Sequence, residues 1–136
     1  MSGPPRVKLG HLAPDGIAAG LLPLVERGAD KRPRVARELR GRVEIRFAEN
    51  FAPVRLHFRD DDVLVEDGNG KRWNSDLKIE GSLPDVIQLA TAPLVGGMPK
   101  PTNRRGRAAL ASVAARRVRI EGSPGLARRV LKLLEV

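Results

Sequence analysis

Apolar and charged residues alternate strictly in two consecutive segments of the chain, 42–48 and 53–59. In the first segment, for example, Glu44 separates Val43 from Ile45. A period of two places one set of side chains in a core and the other set in water. Both segments are therefore predicted to be strands with one buried face.

Two further strands are predicted after this pair. Residues 63–66 form the third, and Asp67-Gly68-Asn69-Gly70 predicts a tight turn, because Asn-Gly tolerates the positive φ that such turns require. The fourth strand carries Trp73, Leu77 and Ile79 on one parity. Four such segments in succession predict an antiparallel meander.

Helical spacing or a high alanine content predicts five helices. They are expected over residues 15–27, 33–40 and 107–116, with two more beginning at Ser82 and Ser123. Both serines can cap a helix, and a proline follows each of them within the first turn. Pro23 is expected to kink or break the first helix.

The last helix has the clearest amphipathic pattern, and a fifth strand that alternates Val118 and Ile120 with arginines precedes it. Its apolar positions fill an arc of roughly 160°; they are Leu126, Ala127, Val130, Leu131, Leu133 and Leu134. Residues 1–10 contain Gly3, Pro4 and Pro5 and predict a flexible tail, and residues 11–136 predict a single domain. Residues 93–106 are expected to form a basic loop.

The composition is that of a soluble globular domain with an aliphatic core. The chain has 136 residues, 41% of them hydrophobic, but only three phenylalanines and one tryptophan. It has no cysteine, which excludes disulfides and thiolate metal sites and fits a reducing cytoplasm. No signal peptide or membrane-spanning segment is expected, so the predicted location is cytoplasmic.

The net charge of +9 is unevenly distributed. Residues 1–42 carry a balance of +5, residues 43–95 a balance of −4, and residues 96–136 a balance of +8. A basic region of this kind can attract an anionic membrane, an acidic partner protein or nucleic acid, or can be a solvated face without function. Nucleic acid is disfavoured, because no aromatic residue for base stacking lies beyond Trp73.

The sequence offers few groups for catalysis or metal binding. Its two histidines, His11 and His57, stand apart from other metal-ligand types. The carboxylates of residues 60–62, Glu66 and Asp67 lack the spacing of a calcium loop and are interpreted as solvated. Neither a phosphate-binding loop nor a nucleophile elbow is present. We therefore expect no catalytic residue, no metal and no cofactor.

The order of these elements resembles the sterol-carrier-protein family of lipid-transfer domains, as a bacterial single-domain member. The resemblance covers residues 41–136 and rests on Gly41 to Phe47, Val54 to Phe58, Val63 to Asp67, Ser75 to Ser82, Leu83 to Ala90 and Arg117 to Leu134. The insertion 93–116 is longer and more basic than the usual family connection, and the first forty residues match no signature.

The resemblance implies an α+β fold, in which a five-stranded, mainly antiparallel sheet is covered on one face by helices. It also implies an apolar tunnel for fatty acyl, sterol-like or isoprenoid lipids between the sheet and the C-terminal helix. Carried across, the ligand would contact Phe47, Phe58, Trp73, Leu77, Ile79, Ile87, Leu89, Val118, Ile120, Leu126, Val130 and Leu134. The same residues could equally fill a solid core.

Three functions follow as hypotheses. The first is non-catalytic binding or transfer of a hydrophobic ligand. The second is a non-transporting accessory module of a lipid- or quinone-metabolising complex, in which Arg104, Arg105 and Arg107 contact an anionic surface. The third and least favoured is nucleic-acid binding.

Overall fold

The computed structural model describes residues 5–69, 71, 73–91, 94–95, 98–99, 102, 104–115 and 117–135. Within these residues the chain forms eight strands and five helices. In chain order they are β1 (Arg6–Leu9), α1 (Ala18–Lys31), α2 (Pro33–Glu38), β2 (Gly41–Phe47), β3 (Val54–Phe58), β4 (Asp62–Asp67), β5 (Leu77–Gly81), α3 (Leu83–Thr91), β6 (Leu94–Val95), β7 (Met98–Pro99), α4 (Arg104–Ala114), β8 (Val118–Gly122) and α5 (Pro124–Leu134).

The described strands form one large mixed sheet in the order β1-β4-β3-β2-β5-β8, and β6 pairs separately with β7. Pairing is antiparallel for β2–β3, β3–β4 and β5–β8, and parallel for β1–β4 and β2–β5. The predicted α+β class with a mainly antiparallel sheet is therefore confirmed, with six strands in the described sheet where five were expected.

The predicted four-strand meander is wrong at its last step. Strand β5 lies parallel to β2, not antiparallel to β4, because the far edge of β4 is already occupied by β1. Nine residues also separate β4 from β5, too many for a tight hairpin, and the described ones (68, 69, 71 and 73–76) lie across the sheet instead. Gly70, the last residue of the predicted turn, lies outside the described residues.

Residues 6–9 were expected to belong to a flexible tail but form β1. Val7 pairs with Val63 on the buried face, and the Lys8 ammonium lies 3.2 Å from a carboxylate oxygen of Asp62 on the other face. Backbone pairing to a strand more than fifty residues away holds this segment, and a local pattern of four residues cannot reveal it. The division into a tail and one domain otherwise stays a prediction.

The two faces of the sheet differ sharply. Apolar residues such as Val43, Leu56 and Leu77 face the helices and are almost fully buried. The opposite face carries a row across five strands in which the sign of the charge alternates: Glu121, Lys78, Glu44, Arg55 and Glu66. Opposite charges on neighbouring strands stabilise such a face.

Helix α1 begins and ends later than predicted and contains Pro23 in its interior. The side chain of Pro23 is exposed, so the carbonyl that loses its hydrogen bond to this imino residue can be hydrated. The start of the helix is fixed from a distance, because the Ala18 N–H donates to the Asp67 carboxylate at 3.0 Å.

The predicted basic loop 93–106 contains more structure than expected. The short strands β6 and β7 lie in it, and α4 begins at Arg104 instead of Arg107. Pro93 and Arg116, which bounded the predicted loop and helix, lie outside the described residues. In the described part of the chain, no helix has both the length and the apolar character needed to cross a bilayer.

Candidate functional site

A small apolar cavity lies between the sheet and the helices. Its volume is about 30 Å³, room for about one water-sized group. Helices α1, α3 and α5 and strands β2 and β3 surround it, through Leu21, Leu24, Val25, Ile45, Leu56, Val86, Ile87, Ala90 and Leu134. The described lining is aliphatic throughout, so it offers a ligand only dispersion contacts and exclusion of water.

Helix α5 contributes Leu134 to the cavity lining and is anchored at both ends. Ser123 caps its first turn, since the Leu126 N–H donates to the Ser123 hydroxyl oxygen at 3.2 Å. At the other end, Arg27 donates to the Leu134 carbonyl at 2.9 Å and Arg32 donates to the Glu135 carbonyl at 2.8 Å. Cationic groups at the C-terminus of a helix satisfy its last carbonyls and its dipole. Both ends of α5 are thus fixed.

Helix α3 contributes three residues to the lining, and its first turn is also capped. The Asp85 N–H donates to the Ser82 hydroxyl at 3.3 Å, and the Leu83 N–H donates to the Glu49 carboxylate at 3.0 Å. Further along α3, Ile87 and Ala90 are only half-buried. The helix is therefore anchored at its start, while its later turns border the cavity and the surface.

The cavity approaches the surface between α1 and α3. Both helices pack against α5, but the described parts of α1 and α3 contact each other little. Leu21 and Leu24 on α1 are half-buried, as are Ile87 and Ala90 on α3. These four side chains form a boundary, and a ligand would have to move them apart to enter the cavity.

The structure brings only part of the predicted ligand-contact set to this cavity. Ile87 and Leu134 line it. Seven others are buried in the surrounding core: Phe58, Leu77, Ile79, Leu89, Val118, Leu126 and Val130. Phe47 and Ile120 are half-buried against the edge of that core. An open tunnel between the sheet and α5 is not seen among the described residues.

Trp73 was predicted to face inward and does not. It lies over the charged face of the sheet, where the Arg42 and Arg55 guanidinium groups are 5.7 and 5.2 Å from its ring centroid. The parity argument failed because β5 begins only at Leu77. Trp73 belongs to the connection between β4 and β5 and has no strand parity.

Several lining residues were missed by the sequence analysis. Leu21, Leu24 and Val25 share one face of α1, and their helical spacing could have identified them in the sequence. Ile45 and Leu56 have the inward parity of Phe47 and Phe58, so extending the parity rule would have included them. Choosing which inward residues border a cavity, however, requires the positions of α1 and α3 above the sheet.

The predicted anionic-surface residues lie on α4, which packs against α3 but contributes no described residue to the cavity lining. Arg104 and Arg107 are exposed on this helix. The backbone of Arg105 belongs to the same helix, and its side chain lies outside the described part. Contact of these arginines with an anionic surface stays a prediction.

The perturbed titratable groups lie away from the cavity. Burial lowers the pKa of His57 below 6.5, assisted by the nearby charges of Arg42 and Arg59. A hydrogen bond from Arg59 lowers the pKa of Asp62, and Lys8 contributes further. Asp67, interpreted as a solvated carboxylate from the sequence, is 2% exposed and accepts two backbone hydrogen bonds. No cluster of potential metal ligands is found in the described part of the chain.

Comparison with solved structures decides the fold. The "UbiJ-SCP2 Ubiquinone synthesis protein" aligns with a TM-score of 0.60 and 14% identity over 87% of this chain and 92% of that one. The chain has the sterol-carrier-protein fold. The solution structure of sterol carrier protein domain 2 of Helicoverpa armigera also has a TM-score of 0.60, with 16% identity over 93% of this chain and 91% of that one.

Sterol carrier protein 2 from Yarrowia lipolytica, in its apo form, has a TM-score of 0.55 and 14% identity over 90% of this chain and 92% of that one. The resemblance read from residues 41–136 is thus confirmed at the level of the fold. These alignments also extend into the first forty residues, where the sequence matched no signature. No family model and no curated protein matches the sequence.

Proposed function

We propose that this protein binds or transfers a hydrophobic ligand, such as a fatty acyl, sterol-like or isoprenoid lipid, without catalysing a reaction. The observation that supports it is the aliphatic cavity between α1, α3 and α5. Its position beneath half-buried side chains gives an apolar ligand a short path inward. Two similar structures are sterol carrier proteins by name, which agrees with this proposal.

Binding requires the cavity to enlarge, because a hydrocarbon tail does not fit into about 30 Å³. Each buried methylene contributes about 0.8 kcal/mol, so a tail of roughly ten carbons contributes about 8 kcal/mol before association costs. This contribution would have to offset the local separation of α1 from α3, whose mutual contacts are few in the described part. The capped α5 and the sheet would remain in place.

The chemistry of the described lining agrees with a carrier. Leucine, isoleucine, valine and alanine side chains supply no nucleophile, acid or base to a bound ligand. Specificity would come from the shape and length of the opened cavity, and a polar headgroup would remain near the boundary formed by Leu21, Leu24, Ile87 and Ala90.

Filling the cavity should weaken ligand binding. Ala90→Phe places a ring at the boundary between α1 and α3, and we expect it to weaken the binding of a fluorescent fatty acid by about tenfold or more. The matched control is Ala127→Phe, since Ala127 is also a half-buried alanine on a helix but does not line the cavity.

The assay is a fluorescence titration, with the free energy of unfolding measured for each variant. Should Ala90→Phe be too unstable, the smaller Ala90→Leu tests the same space. Equal affinities of wild type and both Ala90 variants would place the ligand elsewhere and remove the proposal.

A second candidate function is a non-transporting accessory role in a lipid- or quinone-metabolising complex. It is favoured by the similarity to a protein named as a ubiquinone synthesis protein and by the exposed Arg104 and Arg107. An anionic membrane or an acidic protein would be the partner. This role needs no open cavity, so Ala90→Phe would leave it intact, and the same variant separates the two functions.

A further inference from the structure

A second pocket lies on the opposite side of the sheet from the apolar cavity. Its volume is about 560 Å³, and the residues that matter for its chemistry are Glu44, Arg46, Arg55, Lys71, Trp73 and Lys78. The floor is the charged face of β2, β3 and β5, and the wall is formed by Lys71 and residues 73–75, which lie across this face. The floor is thus made by regular strands with a defined register.

The described part of the connection between β4 and β5 is held in place by Arg55. Its guanidinium donates to the Asn69 side-chain oxygen at 3.3 Å and to the Lys71 carbonyl at 2.8 Å, and it lies 5.2 Å from the ring of Trp73. The same group pairs with Glu44 at 3.3 Å. Arg55 is only 6% exposed. These contacts hold Asn69, Lys71 and Trp73 of the connection against strand β3.

Among the described lining residues of this pocket, Glu44 carries the carboxylate, and this carboxylate is already paired. It is 3% exposed and accepts hydrogen bonds from Arg46 at 2.8 Å and from Arg55 at 3.3 Å. A cationic ligand would therefore compete with these two guanidinium groups for the carboxylate oxygens. Burying this ion pair costs desolvation free energy that a plain surface sheet would not incur, which indicates that the pair has a positioning role.

The remaining charge of the described lining is positive. Arg46 is half exposed and uses only its Nε to bind Glu44. Lys71 makes no ion pair with another described residue, and the Lys78 ammonium is 3.8 Å from its nearest carboxylate partner, Glu80. Three cationic heads therefore border this pocket, and their donors have few competing acceptors within the described residues.

We propose that this pocket binds a small, multiply charged phosphate anion, such as a phosphate monoester or a pyrophosphate. Arg46 can present two parallel N–H donors to phosphate oxygens, and Lys71 and Lys78 add point charges on either side. Trp73 supplies a flat edge to the pocket. The sheet separates this pocket from the apolar cavity, so the anion is not the headgroup of a lipid bound there.

Trp73 makes the proposal directly measurable. It is the only tryptophan of the chain, and the chain has no tyrosine, so intrinsic fluorescence reports this pocket alone. We expect pyrophosphate, titrated at constant ionic strength, to change the emission of Trp73 saturably. Lys71→Ala and Arg46→Gln should each weaken this binding by about tenfold, the effect of losing one charge-assisted hydrogen bond.

The control variant is Arg128→Gln, which removes an exposed cation from α5 on the helical side of the sheet and should leave the affinity unchanged. A parallel titration uses vesicles that contain phosphatidic acid. Three outcomes would each overturn the proposal. The first is a change in emission that is linear in pyrophosphate and equal to the change with sodium chloride, and the second is an equal loss of affinity in all three variants. The third is a change in emission with the vesicles but none with pyrophosphate. Fatty-acid binding is measured separately, so the two sites can fail independently.

Discussion

Gly122→Ala is expected to lower the free energy of unfolding by about 3 kcal/mol. Gly122 ends β8 with φ at +119°, a conformation that side chains rarely adopt, and an added Cβ would lie 2.2 Å from the Asp76 carbonyl oxygen. Both strain and a backbone collision therefore act at one position. The collision also displaces the start of α5, which follows directly. Chemical denaturation followed by circular dichroism measures the change.

Gly125→Ala is the matched control and should act in the opposite direction. Gly125 lies in the first turn of α5, and the nearest atom to an added Cβ is the Ser123 hydroxyl oxygen at 3.9 Å. Alanine stabilises a helix by about 0.5–1 kcal/mol relative to glycine. Equal effects of the two substitutions would contradict the backbone geometry described for the junction of β8 and α5.

Asp67→Ala is expected to lower the free energy of unfolding by about 3 kcal/mol. The Asp67 carboxylate accepts hydrogen bonds from the Ala13 N–H at 2.9 Å and the Ala18 N–H at 3.0 Å. It thereby caps α1 from the end of β4, and alanine would leave both donors unpaired. Gly16 permits this approach, since a Cβ there would lie 2.0 Å from the carboxylate.

Asp61→Ala serves as the control for charge. Asp61 is an exposed carboxylate a few residues away, and its removal should change the free energy of unfolding by less than about 0.5 kcal/mol. Thermal or urea denaturation of both variants makes the comparison. A loss for Asp67→Ala as small as that for Asp61→Ala would show that α1 does not depend on this cap.

The local patterns of the sequence predicted the elements better than their arrangement. The alternation at Val43 and Ile45 and the apolar face of α5 have direct physical causes within a few residues, so those elements were found. The partners of β1 and β5 depend on which sheet edges are free. That is a property of the whole chain, and it explains the errors at residues 6–9 and in the meander.

Candidate-site residues were harder to predict for the same reason. Asp67 could not be recognised as a buried cap, because its donors lie 49 and 54 residues away. Trp73 was misplaced because strand parity was extended into a connection. Inward-facing aliphatic residues were identified well, but parity alone does not distinguish those that fill the core from those that border a space.

The central claim is that the boundary between α1 and α3 opens to admit a hydrocarbon tail. Methyl NMR with a spin-labelled fatty acid tests it directly, because the label broadens signals of nearby methyl groups. The account predicts broadening of Leu21, Leu24 and Leu134, which line the cavity. Broadening confined to the exposed Leu9 and Leu12, or none at all, would contradict it.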